Sequence, residues 1–421
     1  MTTAQAESPD RIAERLDEFE RTKNPAALWP RVSEHARVAA ARELARVTQE
    51  IIRGRNRATL DAESRHTAYA LGIAGHTTGM GPVIGRWIED GRLGAAPEVS
   101  RVFTDHLRHA RKRAVRMERE VLPAIDALLA ESIVLVVLKG FHTGRAYFAE
   151  AGARCMADVD LLVPVDRVSD AETALHAAGF IPESVALRPY KRDWIAADID
   201  ARIHSIELSH EQSKWSLELH ASLNRVYHPG ATARVDALRS QVVPLEIAGR
   251  PLLALSPSAL LVYLACHCSQ ELDGIRLLRL YELSRIIRCE RTGAAFSWDA
   301  VLDTLTRTQS ARFAYPALAL VDELDPGLVD DRVLALGRRQ STWAARHTVP
   351  RLTPAGGSLD ERGVIRQLMW TRGLVSVGTR LLRNVWPASF QRPRDVVPGW
   401  RVRLRRFANG ALFLQAPNER Q

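Results

Sequence analysis

The chain has 421 residues, 46% apolar and 25% charged, a length that suits two or three domains and a composition that excludes wholesale disorder. Its net charge of +9 favours anionic partners such as nucleotides, nucleic acid or an acidic protein, without choosing among them. Four cysteines, Cys155, Cys266, Cys268 and Cys289, make no disulfide framework and suit a reducing compartment. Met1 to Lys23 is polar and lacks the apolar stretch of a signal peptide, so a cytoplasmic protein is expected. Of the 58 basic residues only five are lysine, so each lysine carries more information than usual.

Residues 1–130 read as an N-terminal helical region. Leu44, Val47 and Ile51 recur at helical spacing in the stretch from Pro30 to Glu50. The run Gly75 to Pro82 has neither dinucleotide nor P-loop spacing and reads as a turn. A long amphipathic helix follows, with Phe103, Leu107, Ala110, Ala114, Met117, Val121, Ile125 and Leu128 marking its buried face. Its other face carries Arg108, Arg111, Lys112, Arg113, Arg116 and Arg119, expected to be solvated.

The pattern then changes. Ile133 to Leu138 is a β-branched apolar run expected to form a strand buried on both faces. Lys139-Gly140 ends it, a short helix is expected over 141–150, and a second strand runs from Arg154 through Asp158 and Asp160 to Val163. Val168 to Gly179 reads as a helix closed by its glycine. After an irregular charged stretch come two strand candidates, His204 to His210 and Trp215 to Leu223, joined by a hairpin turn over Glu211 to Lys214. Mixed order of this kind indicates an α/β or α+β unit between 131 and 250.

Pro251 to Gln270 is uncharged and reaches membrane-span length, but its two prolines, three serines, histidine and glutamine point to a buried helix starting near Pro257. No transmembrane segment is expected. Zinc at Cys266-His267-Cys268 with Cys289 is not expected, because adjacent helical side chains diverge by about 100° and the usual spacing of paired zinc cysteines is absent. Helices continue over 275–288 and on to 345, giving a helical domain over 251–350. A basic tail spans 351–421, with arginines and aromatics interleaved from Gln367 onward. It is read as packing on the chain's own acidic faces, with nucleic acid as a less favoured partner and a membrane surface as a further one.

Asp158 and Asp160 carry the chemical signal. Residues i and i+2 of a strand share a face, and two carboxylates flanked by apolar residues require a positive counterpart. Hard divalent ions such as Mg²⁺ take one or two carboxylates plus substrate phosphates. Glu218, on the later strand with His220, is a third carboxylate if the two strands adjoin; Glu207 and Asp198 are rivals. Three carboxylates would hold two metals for an in-line displacement at phosphorus. His220 has two open readings, a phosphate or carboxylate partner and a buried structural histidine. Lys139-Gly140 is a candidate phosphate turn, with glycine for close backbone approach and Lys139 as a point charge.

The order Leu138-Lys-Gly140, Arg154-x-Met-x-Asp158-x-Asp160-Leu-Leu-Val163, Leu217-Glu-Leu-His220 and Leu255-Ser-Pro-x-x-Leu-Leu-x-Tyr-Leu-x-x-His267 resembles the uncharacterised bacterial nucleotidyltransferase family of the DNA polymerase β-like superfamily. The resemblance covers roughly 75–290 and includes Gly81 to Gly85. It implies an α+β fold, a small mixed sheet with helices forming a nucleotidyltransferase core over 131–250. It also implies Asp158 and Asp160 as ligands of Mg²⁺ or Mn²⁺, with Glu218 as third ligand. Lys139, Gly140, Arg154 and His220 would contact the nucleotide, and a nucleoside monophosphate would pass from a triphosphate, ATP foremost, to an unknown small-molecule, peptide or protein acceptor. Some members lie in peptide natural-product clusters. Two departures stand out: Lys139-Gly140 replaces the superfamily's glycine-serine turn, and Glu218 replaces an aspartate. These leave a second reading, a non-catalytic protein of the same fold that binds a nucleotide or a protein. Arg154 is also open as a salt bridge to its strand's own carboxylates, and His267 and Glu282 are candidates for the acceptor site.

Overall fold

The computed structural model describes residues 8–22, 24–54, 58–60, 65–183, 191–228, 231–270, 277–355 and 369–371. The arginine- and aromatic-rich tail from residue 372 onward lies outside these. The N-terminal region contains α1 (Pro9–Thr22), α2 (Glu34–Ile52), β1 (Ala58–Leu60), α3 (Arg65–Thr78), α4 (Gly81–Glu89), β2 (Leu93–Ala95) and α5 (Pro97–Ala130). It is helical as expected, apart from the short parallel pair β1 and β2. The expected turn is narrower than Gly75–Pro82: α3 runs through Gly75, and Gly79, at φ +75°, closes it.

The middle of the chain folds into β3 (Val136–Leu138), α6 (Lys139–Ala146), β4 (Asp158–Leu162), α7 (Val168–Ala177), β5 (Phe180–Pro182), β6 (Lys191–Ala196), β7 (Ser216–His220), β8 (Arg225–His228), β9 (Ala231–Ala233), β10 (Val242–Ile247) and β11 (Arg250–Leu255). Seven of these strands form one mixed sheet in the order β10-β11-β3-β4-β7-β6-β5. β4 lies antiparallel to β3 and parallel to β7. Helices α8 (Pro257–Gln270), α9 (Leu277–Glu290), α10 (Trp298–Arg307), α11 (Ala311–Leu324), α12 (Asp331–Gln340) and α13 (Trp343–Thr348) follow. Among the described residues, no helix is long and apolar enough to cross a membrane.

Period-two alternation divides the central strands between two cores. Val137, Val159, Leu161, Leu217 and Leu219 are covered by Met117, Val121, Ile125 and Leu128 of α5 and by Leu175 of α7. Each such fully buried aliphatic side chain contributes about 1.5–3 kcal/mol. Val136, Leu138 and Leu162 join the second core, which includes α8, α9 and α11. The same alternation assigns Asp158, Asp160, Glu218 and His220 to that second face.

Two expectations fail. Residues 204–210 form no strand, and β7 pairs instead with β4 and with β6. The reason lies in the arginine face of α5, which is not uniformly solvated. Arg113 is buried and donates to the carbonyls of Met156 at 2.9 Å, Lys214 at 2.7 Å and Ser213. Arg116 donates to the carbonyl of Glu211 at 2.6 Å. Guanidinium groups thus take the carbonyls that a hairpin turn would present to its own strands. Arg108, Lys112 and Arg119 are exposed as expected. The true neighbour of β7, Lys191–Ala196, comes from the stretch read as irregular, where three charged residues mask the alternation.

Arg113→Ala therefore strands several buried carbonyls and should cost about 2–4 kcal/mol. Arg119→Ala should stay within about 0.5 kcal/mol of the parent. Urea unfolding of the two variants checks the contrast.

Candidate active site

Register brings the acidic residues together. Asp160 on β4 is the Cα partner of Glu218 on β7, so the parallel pairing sets two carboxylates side by side on one face. β6 adds Asp193 opposite Glu218 and Lys191 opposite His220. On the other flank Leu138 pairs with Asp160, and the next residue, Lys139, turns the chain into α6. Lys139 makes this turn at φ +46°, a left-handed conformation uncommon outside glycine.

Asp160 is only 1% exposed and Lys139 only 4%. The Lys139 Nζ lies 2.5 Å from Asp160 Oδ1, 3.4 Å from Glu218 Oε2 and 4.0 Å from Asp158 Oδ2. The Nε2 of the fully buried His220 lies 2.8 Å from Asp160 Oδ1 and 3.2 Å from Glu218 Oε2, so it donates its proton to the carboxylates. Lys191 pairs with Glu218 Oε1 and with Asp193 at 3.1 Å. Asp160 Oδ2 is buried with no hydrogen-bond partner.

The charges shape one another. Burial pushes the Asp160 carboxyl up, and Lys139 pulls against it. Burial also acts to raise Glu218, but the His220 hydrogen bond and the Lys139 charge outweigh it and hold Glu218 far below the usual carboxylate range. Burial would discharge Lys139, yet Asp160, Asp158 and Glu218 more than offset that cost and keep the ammonium protonated.

Asp160, Glu218 and His220 offer ligand atoms within 4.8 Å of one another, a set able to hold a metal ion. Asp158, on the same face at the start of β4, is more exposed and stands outside that group. Hard carboxylate oxygens and a buried oxygen without a partner fit a small divalent cation. Glu207 is engaged by Tyr69 Oη and Arg15, and Asp198 is exposed; neither joins the cluster.

Arg154 is directed elsewhere. Its guanidinium clamps Glu282 of α9 at 2.8 and 3.1 Å rather than the carboxylates of its own strand. Thr143 of α6 also bonds Glu282. Burial would raise the Glu282 carboxyl, but Arg154 and Arg279 hold it down to about 2. Gly140 is required by this clamp: a Cβ there would lie 2.2 Å from Arg154 Nη1 and 2.7 Å from Arg154 Cζ. His267 lies edge-on to Tyr263, with ring centroids 6.4 Å apart. Burial and then the charges of Arg225, Lys139 and Arg279 drive its pKa well down and keep it neutral.

Sequence reasoning missed Lys191, Asp193 and Arg225. Arg225 is buried and donates to Tyr263 Oη; burial works against its charge, but Tyr263, Asp160 and Glu218 outweigh that and raise its pKa. The rarity of lysine singles out Lys139 and would have singled out Lys191 too. Arg225, one arginine among many, carries no such signal.

A mixed sheet with an acidic, metal-capable cluster on one face now stands beside a match to a known family. The model of the family described as uncharacterised nucleotidyltransferase covers residues 73–325. The chain belongs to that family. No curated protein and no solved structure matches it. For a nucleotidyltransferase, the match takes in the whole sheet, α8, α9 and the Arg154–Glu282 clamp that binds sheet to helices.

The depressed pKa of Glu282 has a pH consequence. Its stabilising contribution is full above the ordinary glutamate value of 4.5 and is lost as pH falls toward about 2. Glu282→Gln should lose about 3 kcal/mol near neutral pH, because Arg154 is left buried without a counter-charge. It should also flatten the acid limb of the stability profile below about pH 5; urea titrations across that range read both effects.

Proposed function

We propose that this nucleotidyltransferase moves a nucleoside monophosphate from a triphosphate, ATP foremost, to a small-molecule or peptide acceptor. The core is taken as polymerase β-like, with Mg²⁺ or Mn²⁺ at the carboxylates. The observation that carries the reading is Asp160 Oδ2, a buried carboxylate oxygen with no protein partner inside the Asp160, Glu218 and His220 cluster.

In this reading Asp160 and Glu218 hold the metal, with Asp158 at the open edge as a further ligand. A bound divalent ion supplies charge neutralisation and alignment at the α-phosphate. His220 donates to Asp160 and Glu218 and fixes where their lone pairs point. Lys191 neutralises the outer oxygen of Glu218. The first turn of α6 has no side-chain cap, so its backbone N–H groups and the Lys139 ammonium favour phosphate binding. Gly140 serves by giving Arg154 room, which supports a positioning role for both in place of direct phosphate contact. The acceptor hydroxyl, its proton passing to solvent, or an acceptor phosphate attacks the α-phosphorus, the bond to the α–β bridging oxygen breaks, and pyrophosphate leaves.

Thermal melting with each nucleoside triphosphate, with and without Mg²⁺ or Mn²⁺, tests the reading. A ligand at about 100 times its dissociation constant stabilises by about 2.7 kcal/mol, so the melting point should rise further with metal and triphosphate together than with either alone. Asp160→Asn should remove that rise and lower turnover at least about a hundredfold while the circular dichroism stays that of the parent. A rise that survives Asp160→Asn refutes the site. A metal-dependent rise without turnover over a broad acceptor screen favours a nucleotide-binding protein of the same fold.

A further inference from the structure

We propose that Lys139 is a built-in counter-cation of the carboxylate cluster, displaced from it by the entering divalent ion and delivered thereby to the triphosphate. The inference rests on the metal-dependent reading above and concerns what one residue of this chain does before and after metal entry.

Three observations carry it. The ammonium sits among the oxygens a cation would use, 2.5 Å from Asp160 Oδ1 and 3.4 Å from Glu218 Oε2, on a side chain that is 4% exposed. The donors are distributed unevenly: Asp160 Oδ1 takes both Lys139 and His220, while Oδ2, equally buried, takes none. Glu218 has a second ammonium, Lys191 on Oε1, so the departure of Lys139 leaves that carboxylate partnered.

A divalent ion and an ammonium cannot both stay in contact with these oxygens. Two cations a few ångströms apart in a buried site repel strongly, and the higher charge prevails at hard carboxylates. Lys139 has the means to leave. Its Cα is anchored by the left-handed turn between β3 and α6, while the four rotatable bonds of its stem let the ammonium change position about that point. The anchor lies at the uncapped first turn of α6, where phosphate is favoured, so the ammonium released from the carboxylates travels to the anion rather than to bulk water. Before metal entry, Lys139 offsets the cost of burying Asp160 beside Glu218. After it, the same charge is available to the substrate.

The test is Mn²⁺ binding, in the absence of nucleotide, to the full chain, to Lys139→Met and to Asp160→Asn, followed by calorimetry and by the electron paramagnetic resonance signal of free Mn²⁺. Removing the competitor should tighten Mn²⁺ binding at least about tenfold in Lys139→Met, and Asp160→Asn should abolish it. Equal or weaker binding in Lys139→Met overturns the displacement while the metal site stands. Binding to the parent that Asp160→Asn leaves unchanged, or no binding by the parent and Lys139→Met alike, overturns the metal site and the displacement together. Because Lys139→Met leaves buried carboxylates short of a cation and is at risk of misfolding, the parent protein supplies a second measurement. Acetylation by an amine-reactive reagent, read by mass spectrometry against the exposed Lys112, should rise several-fold at Lys139 when Mn²⁺ is bound. Labelling that does not change with Mn²⁺ bound sinks the proposal.

Discussion

Asp160 and Glu218 face each other across parallel strands in the interior, and bringing two carboxylates out of water side by side is the constraint around which the rest is arranged. Unpaired, each would cost several kcal/mol of desolvation. The surrounding structure answers with cations and donors delivered from three different places. Lys139 comes from the end of β3, Lys191 from β6 and His220 from β7 itself. The non-glycine left-handed turn at Lys139 fits the same logic. It is a conformation that persists only where the surroundings over-determine it, and here three carboxylates draw the ammonium inward.

A second buried charge pair ties this face to the helices that follow. Arg154, leading into β4, grips Glu282 on α9, and Thr143 of α6 bonds the same carboxylate. The acidic strand, the turn after β3 and α9 therefore share one polar node. Gly140 keeps its place in that node because a side chain there would collide with the guanidinium. On the opposite face, α5 fastens the 210–214 segment through Arg113 and Arg116 and so holds the approach to β7. Rigid support from both sides suits the proposed nucleotidyl transfer, whose chemistry depends on alignment more than on covalent participation.

Much of the fold was legible in the chain. The long periodic helix, the buried run at β3, the Asp-x-Asp strand and the buried helix from Pro257 follow from apolar spacing and from proline, and each forms where that spacing puts it. Two stretches were misread because charged partners elsewhere in the fold set their pattern. β6 reads as irregular because Lys191, Arg192 and Asp193 stand where apolar residues would announce a strand, and 204–210 reads as a strand although its neighbouring carbonyls are taken by arginines of α5. Arg113 and Arg119, read together as one arginine face, lie about 120° apart around the helix, and one is buried while the other is exposed.

By itself, then, the sequence determined most of the helices and the strands β3, β4 and β7, and pointed to Asp158, Asp160 and Glu218, because periodicity and charge placement are properties of neighbours along the chain. Only the tertiary structure decided which cation answers which carboxylate. Lys139 is 21 residues from Asp160 in the chain, Lys191 is 27 from Glu218, and Arg154 is 128 from Glu282. Contacts at such separations are selected by strand register and by the cost of burying charge unpaired, and neither quantity exists until the sheet has formed.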